Sequence, residues 1–136
     1  MSDLPSAAPE SSRPSVAVVG ASINRSKYGN KAVRAFRKSG FDVYPINPRA
    51  EYVEGLRAYP SLDAVPVGRL DRVSFYVPPA VGLSLLEQVA RKQVGELWLN
   101  PGAGSPALVE RAEALGLNVI QACSILAVGQ HPDAVD

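Results

Sequence analysis

The chain has little of what reactive or covalently braced proteins depend on. Its 136 residues include one cysteine, Cys123, and one histidine, His131. A lone cysteine excludes an intramolecular disulfide and suits a reducing compartment. No apolar run approaches the roughly 20 residues needed to cross a bilayer. Charge of one sign is also lacking. The formal net charge is +1, so nothing draws the molecule as a whole toward nucleic acid or an anionic membrane, and affinity for an anion must come from a local site. The opening segment MSDLPSAAPESSRPS has no apolar core and reads as neither signal peptide nor anchor. A cytoplasmic location is the expectation.

What remains is an ordinary globular balance, 46% hydrophobic and 20% charged residues, in a length that suits one domain. Residues 1–14, rich in Ser, Pro and Ala, cannot bury enough surface to offset ordering and are expected to form a disordered tail. Residues 15–129 are expected to form the folded domain, and 130–136 a second loose tail. Ser15–Val19 is a short β-branched run stopped by Gly20, the pattern of a strand buried on both faces. Tyr28, Ala32 and Phe36, with Val33, then recur at helical spacing, with Lys31, Arg34 and Lys38 opposite and Gly40 at the C-cap. Strands are expected at Phe41–Ile46, Arg72–Val77, Glu96–Leu99 and Leu117–Gln121, with a short edge strand in Gly55–Tyr59. Ser61 is expected to cap a helical turn. A helix after Pro78-Pro79 should carry a stripe of Val81, Leu85, Leu86 and Val89, and Ser105-Pro106 should open a helix ending at Gly116. Strands alternating with helices imply a single-domain α/β fold, a Rossmann-like doubly wound parallel sheet.

In such sheets ligands bind beyond the carboxyl ends of the strands. The first loop there, Gly20-Ala21-Ser22 running to Lys27, is built of small residues that let a phosphate approach backbone N–H groups, with Arg25 and Lys27 nearby. It matches neither the three-glycine dinucleotide fingerprint nor the P-loop, and a tight turn with solvated charges is the alternative. The second loop, Asn47-Pro48-Arg49, lacks the carboxylate that holds the ribose of NAD and offers an arginine instead. That suits a phosphorylated ribose, whether the 3′-phosphate of coenzyme A or the 2′-phosphate of NADP. The third and fourth loops, Val77-Pro78 and Asn100-Pro101-Gly102, combine rigid proline turns with glycine. They supply no nucleophile, base or metal ligand.

The segments VVGAS, YPINP, AYPSLDAVP, FYVPP and ALGLNV, in this order and spacing, resemble the stand-alone CoA-binding proteins. Those are related to the CoA-binding domain of the succinyl-CoA synthetase α subunit and of ADP-forming acyl-CoA synthetases. The resemblance spans about Ser15 to Cys123. It implies that Gly20, Ala21 and Ser22 border the diphosphate, that Asn47, Pro48 and Arg49 lie toward the adenosine, and that Val77, Pro78 and the Asn100 turn line the pantetheine side. Two departures fall at the pantetheine end. Trp98 is followed by Leu99-Asn100-Pro101 rather than glutamine and glycine, and Ser124-Ile125-Leu126 replaces an acidic residue or histidine after Cys123.

The synthetases use a phosphorylated histidine from a second domain, which these 136 residues are not expected to hold, and His131 falls in the expected tail. Asp42, Asp63, Asp71 and Glu96 sit at element ends and form no pair in the expected site. Cys123 alone could react there, for instance by forming a mixed disulfide with the CoA thiol. The expectation is therefore a CoA or acyl-CoA binding module that is not an enzyme by itself, with no nucleic-acid or membrane partner and with another copy or another chain as a candidate partner. The alternatives are an NADP-dependent oxidoreductase subunit, or a structural protein whose sheet edge is empty.

Overall fold

The computed structural model describes residues 13–136, so residues 1–12 of the expected N-terminal tail lie outside the described residues. Strand β1 (Ser15–Val19) shows why a continuous apolar run is needed at the centre of the sheet. Val16 and Val18 face one hydrophobic cluster while Ala17 and Val19 face another, and none of the four is more than 3% exposed. Around it run α1 (Tyr28–Lys38), β2 (Asp42–Ile46), the hairpin β3 (Tyr52–Val53) and β4 (Leu56–Arg57), and a 3-10 turn at Leu62–Ala64. They are followed by β5 (Arg69–Phe75), α2 (Pro79–Arg91), β6 (Gln93–Leu99), α3 (Pro106–Ala114), β7 (Val119–Gln121) and α4 (Ser124–Ala127).

Five strands form one sheet in the order β2-β1-β5-β6-β7, and every neighbouring pair is parallel. The chain steps outward from β1 to β2, then returns to the other side of β1 as β5. The strand order therefore reverses between β1 and β5, which is the crevice where ligands bind in open parallel sheets. Helices α2 and α3 cover one face through Leu86, Val89, Leu108 and Ala112. Helix α1 and the short α4 cover the other through Ala32, Val33, Phe36 and Ile125. This is the single-domain, Rossmann-like doubly wound architecture that the alternation of elements implied.

Several details differ from the sequence reading, each for a physical reason. Tyr28 is 56% exposed rather than part of the core stripe of α1, because the helix starts beyond the sheet edge. The buried residues of that first turn are Gly29 and Asn30. In α2 the buried residues are Gly82, Leu86 and Val89, while Val81 is 45% exposed. A Cβ on Gly82 would stand 2.9 Å from the Phe75 ring, so the helix turns its glycine to the sheet and comes close. Strands β5 and β6 each begin three residues earlier than expected, through the pairs Arg69↔Gln93 and Leu70↔Val94. The edge element of 55–59 is instead one arm of the β3–β4 hairpin. Ser61 precedes its turn without a side-chain capping bond, whereas Ser105 accepts from the Leu108 N–H at 3.1 Å as a true N-cap.

Two of the basic residues of α1, Arg34 and Lys31, are engaged, while Arg37 and Lys38 are exposed. Arg34 donates to Asn30 Oδ1 (2.8 Å), to the Arg25 carbonyl (2.7 Å) and to the Val135 carbonyl (2.9 Å). Lys31 lies 5.1 Å from the centre of the Tyr28 ring and 4.0 Å from Asp133. Residues 130–136, expected as a loose tail, are thus drawn along α1 in this structure.

Candidate functional site

A cavity of about 940 Å³ opens at the carboxyl edge of the sheet, over the crevice between β1 and β5. That is at the upper end of the usual size of small-molecule sites, about 300–1,000 Å³. It brings together Gly20, Ser22 and Lys27 after β1, Val77 and Pro78 after β5, Asn100, Pro101 and Gly102 after β6, and Cys123 after β7. Eight of the twelve residues singled out from the sequence therefore share one lining. Ala21, Asn47, Pro48 and Arg49 lie outside it: Ala21 is buried behind the loop, and Pro48 and Arg49 are exposed.

The β1 side of the cavity is made of backbone. Gly20 has φ +93°, and a Cβ there would sit 2.5 Å from the Tyr76 carbonyl oxygen, so only glycine lets this turn lie against the end of β5. Gly29 was passed over in the sequence, yet a Cβ on it would drive into the Gly20 carbonyl. The start of α1 consequently rests directly on the loop. Lys27 occupies the N-cap position with no side-chain cap, and no acidic residue stands in the first turn. The N–H groups of Tyr28 and Gly29, both lining residues, are thus the open donors of α1, the Asn30 N–H being taken by the Lys27 carbonyl (3.0 Å), and Lys27 lines the cavity beside them.

The loop is braced from behind. Asn30, fully buried, donates to the Ser22 carbonyl (2.8 Å) and to Glu54 Oε2 (3.0 Å). Ser22 Oγ accepts from the Asn24 N–H (3.0 Å), and Asn24 Oδ1 accepts from the Ser26 N–H (3.0 Å) and hydroxyl (2.7 Å). Arg25 is turned to Glu54, at 3.3 Å, and is not among the lining residues. Asn47 ties the second loop to the first. Its Nδ2 donates to the Ala21 carbonyl (2.9 Å), and its Oδ1 accepts from the N–H groups of Arg49 (2.7 Å) and Ala50 (2.9 Å).

The β5–β7 side is made of side chains. Asn100, only 3% exposed, donates through Nδ2 to Ser74 Oγ (2.8 Å) and the Phe75 carbonyl (2.9 Å). Its Oδ1 accepts from the N–H (2.8 Å) and the hydroxyl (2.9 Å) of Ser124. A carbonyl can only accept and an N–H can only donate, so the amide has one orientation, and all four of its hydrogen-bonding positions are filled. The Ser124 proton is thereby committed to Asn100. Ser124 Oγ must then accept from both Ser74 and Tyr76, each at 2.8 Å. Burial pushes the Tyr76 phenol up to about 12, outweighing the opposing hydrogen bonds from Ser124 and Ser74, with nearby Cys123 adding to the rise. In front of this network the lining is apolar, with Val77, Pro78, Pro79, Pro101 and Leu126.

The cavity-lining residues include no carboxylate and no imidazole, and no cluster of three His, Cys, Asp or Glu suited to a metal occurs among the described residues. Cys123 is half-buried in the lining. Besides Gly29, the sequence reading passed over Tyr76, Leu126 and Pro132, which also line the cavity. Leu126 belongs to α4, whose single turn is too short to show helical periodicity. Tyr76 read as one more strand residue, and nothing in its neighbours marked it. No helix among the described residues is long and apolar enough to cross a membrane.

A family model described as a CoA binding domain matches residues 14–130. The α subunit of ADP-forming acetate–CoA ligase II of Pyrococcus furiosus is 31% identical over 116 residues, covering 77% of this chain and 25% of that protein. A conserved hypothetical protein of the same organism has a solved structure similar at a TM-score of 0.75, with 32% identity, covering 85% of this chain and 98% of that one. The dinucleotide-forming acetyl-coenzyme A synthetase 1 of Ca. Korarchaeum cryptofilum is similar at a TM-score of 0.68 and 30% identity, over 78% of this chain and 25% of that one. The chain spans a quarter or less of the length of the curated ligases it matches.

Proposed function

The chain belongs to the CoA-binding domain family, and we propose that it works as a coenzyme A or acyl-CoA binding module without a complete catalytic site of its own. The observation that carries this reading is the two-sided cavity at the strand-order reversal. A backbone-built, cationic β1 side suits phosphate. A longer apolar side under β5, β6 and β7 suits an uncharged arm. In this proposal Gly20, Ala21, Ser22 and Lys27 take the diphosphate, and Val77, Pro78, Asn100, Pro101 and Gly102 line the pantetheine side. Asn47, Pro48 and Arg49 stand toward the adenosine, outside the cavity proper.

Support for binding without chemistry comes from the protonation inventory of the lining. Lys27, Tyr28, Tyr76 and Cys123 are its titratable side chains. General acid–base catalysis works best with a group that titrates near the working pH, and Tyr76, at about 12, stays neutral. The buried polar groups behind the apolar wall have spent their donors on one another, so they offer nothing to a developing oxyanion. Any acyl transfer would then draw its general acid or base from another chain, with the Cys123 thiol the one nucleophile this lining supplies.

Thermal unfolding with CoA, 3′-dephospho-CoA and NADPH tests the reading. A ligand at about 100 times its dissociation constant stabilises a fold by roughly 2.7 kcal/mol, a rise of several degrees for a domain of this size. The expected result is a rise with CoA and a smaller one without the 3′-phosphate. A rise with NADPH and none with CoA would overturn the proposal.

A further inference from the structure

We propose that Asn100 is a positioning residue for the thiol end of the bound ligand, and that it acts on the ligand only through the wall it holds in place. This inference rests on the CoA reading and deepens it. Asn100 lines the cavity, yet both amide hydrogens and both carbonyl lone pairs are already used within the protein. A ligand could engage that amide only by breaking one of these buried bonds, and a buried group left unpaired costs more than the new bond returns.

The four bonds join three separate pieces of chain. One end reaches the last turns of β5, at Ser74 and the Phe75 carbonyl. The other reaches the first residue of α4, Ser124, across the sheet from Asn100 at the end of β6. Tyr76 and Cys123 flank these anchor points directly, and Leu126 follows two residues after Ser124 in α4. Helix α4 is only four residues long, far too short to hold itself in place. Its position, and with it the Cys123–Leu126 part of the wall, is set by Ile125 in the core and by the Asn100–Ser124 bonds. The proton count makes the bonds interdependent. Removing the Asn100 donors frees Ser74 Oγ, and removing the Ser124 hydroxyl leaves Tyr76 and Ser74 without their shared acceptor.

The side-chain bonds of this network do not reach the β1 loop, where Gly20, Ser22 and Lys27 are braced by Asn30; only the Tyr76 backbone meets that side, its N–H donating to the Val19 carbonyl (2.8 Å) and its own carbonyl lying against Gly20. The two halves of a bound CoA should therefore respond differently when it is disturbed. Asn100→Asp keeps the size and the acceptors for Ser124 but removes at least one of the two donations, since even a protonated carboxyl has a single hydrogen to give. Ser124→Ala is the milder second variant, leaving its N–H bond to Asn100 intact. Binding of CoA and of adenosine 3′,5′-bisphosphate, which lacks the pantetheine arm, is measured by calorimetry for each protein.

The expected result is a CoA affinity at least tenfold weaker in Asn100→Asp and about three- to fivefold weaker in Ser124→Ala, with the bisphosphate changed less than twofold in both. Equal losses for the two ligands would overturn the inference, since a merely structural residue would move both. Unchanged CoA binding in either folded variant would overturn it as well. Wild-type protein that takes up neither ligand would overturn the CoA reading itself, and this inference with it.

Discussion

The two sides of the cavity solve the same problem with opposite materials. On the β1 side the surface is backbone. Side chains are missing at Gly20 and Gly29 because there is no room for them, and the helix N–H groups are left open for a ligand. On the β5–β7 side the surface rests on side chains, Ser74, Asn100, Ser124 and Tyr76, whose hydrogen bonds are closed among themselves. The first side offers unspent donors, and the side-chain network of the second has none to offer. Open donors attract a charged group, while a saturated network holds an apolar wall still. A molecule with a phosphate-rich end and a long uncharged arm matches that division.

The sharpest way to break the comparison is to add one methyl group on the backbone side. In Gly29→Ala the new Cβ meets the Gly20 carbonyl, and backbone facing backbone has no rotamer by which to escape. The start of α1 must lift from the loop, which is expected to cost about 3 kcal/mol or more. Gly104→Ala, on the β6 loop, is the control. Its Cβ would find its nearest neighbours at 3.6 Å, an ordinary contact, and stability should change by less than about 0.5 kcal/mol. Urea unfolding of both variants measures the contrast, and similar losses in the two would show that the close approach at Gly29 has no special cost.

The same methyl-sized argument explains what could be read from the sequence. Hydrophobic periodicity found all five strands of the sheet and the three longer helices, because Val16 to Val19, Phe75 and Leu97 bury side chains in regular alternation. It failed where contact is made by the absence of a side chain. At Tyr28–Gly29 and at Val81–Gly82 periodicity points to the large residue, yet the glycine makes the close contact, Gly29 on the Gly20 loop and Gly82 on Phe75 of the sheet. The loops that gather at the cavity were legible because each ends a strand of a parallel sheet. The Asn100 network was not, since its four members are scattered from residue 74 to residue 124 and meet only when β5, β6 and α4 are assembled.

The side-chain network can be sharpened through its one titrating member. Tyr76→Phe deletes a donor to Ser124 and should cost about 1 kcal/mol at neutral pH. In the native protein the phenol is raised from 10.0 to about 12, chiefly by burial. Its contribution is therefore complete below about pH 10. As pH climbs from there toward 12 the unfolded chain releases this proton first, and the native state loses stability at up to about 1.4 kcal/mol per pH unit. The variant has no such proton to lose at this position. Denaturant unfolding from pH 7 to 12 should show wild type ahead at neutral pH and the variant ahead by pH 12. Parallel curves would mean that burial does not hold the phenol neutral.

The smallest effects separate the cavity from its rim. Lys27 lines the cavity at the uncapped start of α1, where its charge acts together with the helix N–H groups on a diphosphate. Lys27→Ala should weaken CoA and 3′-dephospho-CoA alike, by about five- to tenfold, because the diphosphate is common to both. Arg49 is exposed and outside the lining, positioned only by the turn that Asn47 closes. A solvent-screened contact of that kind is worth about 0.5–1 kcal/mol, so Arg49→Ala should cost CoA only about two- to fivefold. It should leave dephospho-CoA unchanged, since the 3′-phosphate is the one group the two ligands do not share. Titration of both variants with both ligands gives four affinities. If Arg49→Ala weakens the two ligands equally, the arginine reads the diphosphate rather than the ribose, and the adenosine end of CoA must lie on the other side of the β1 loop.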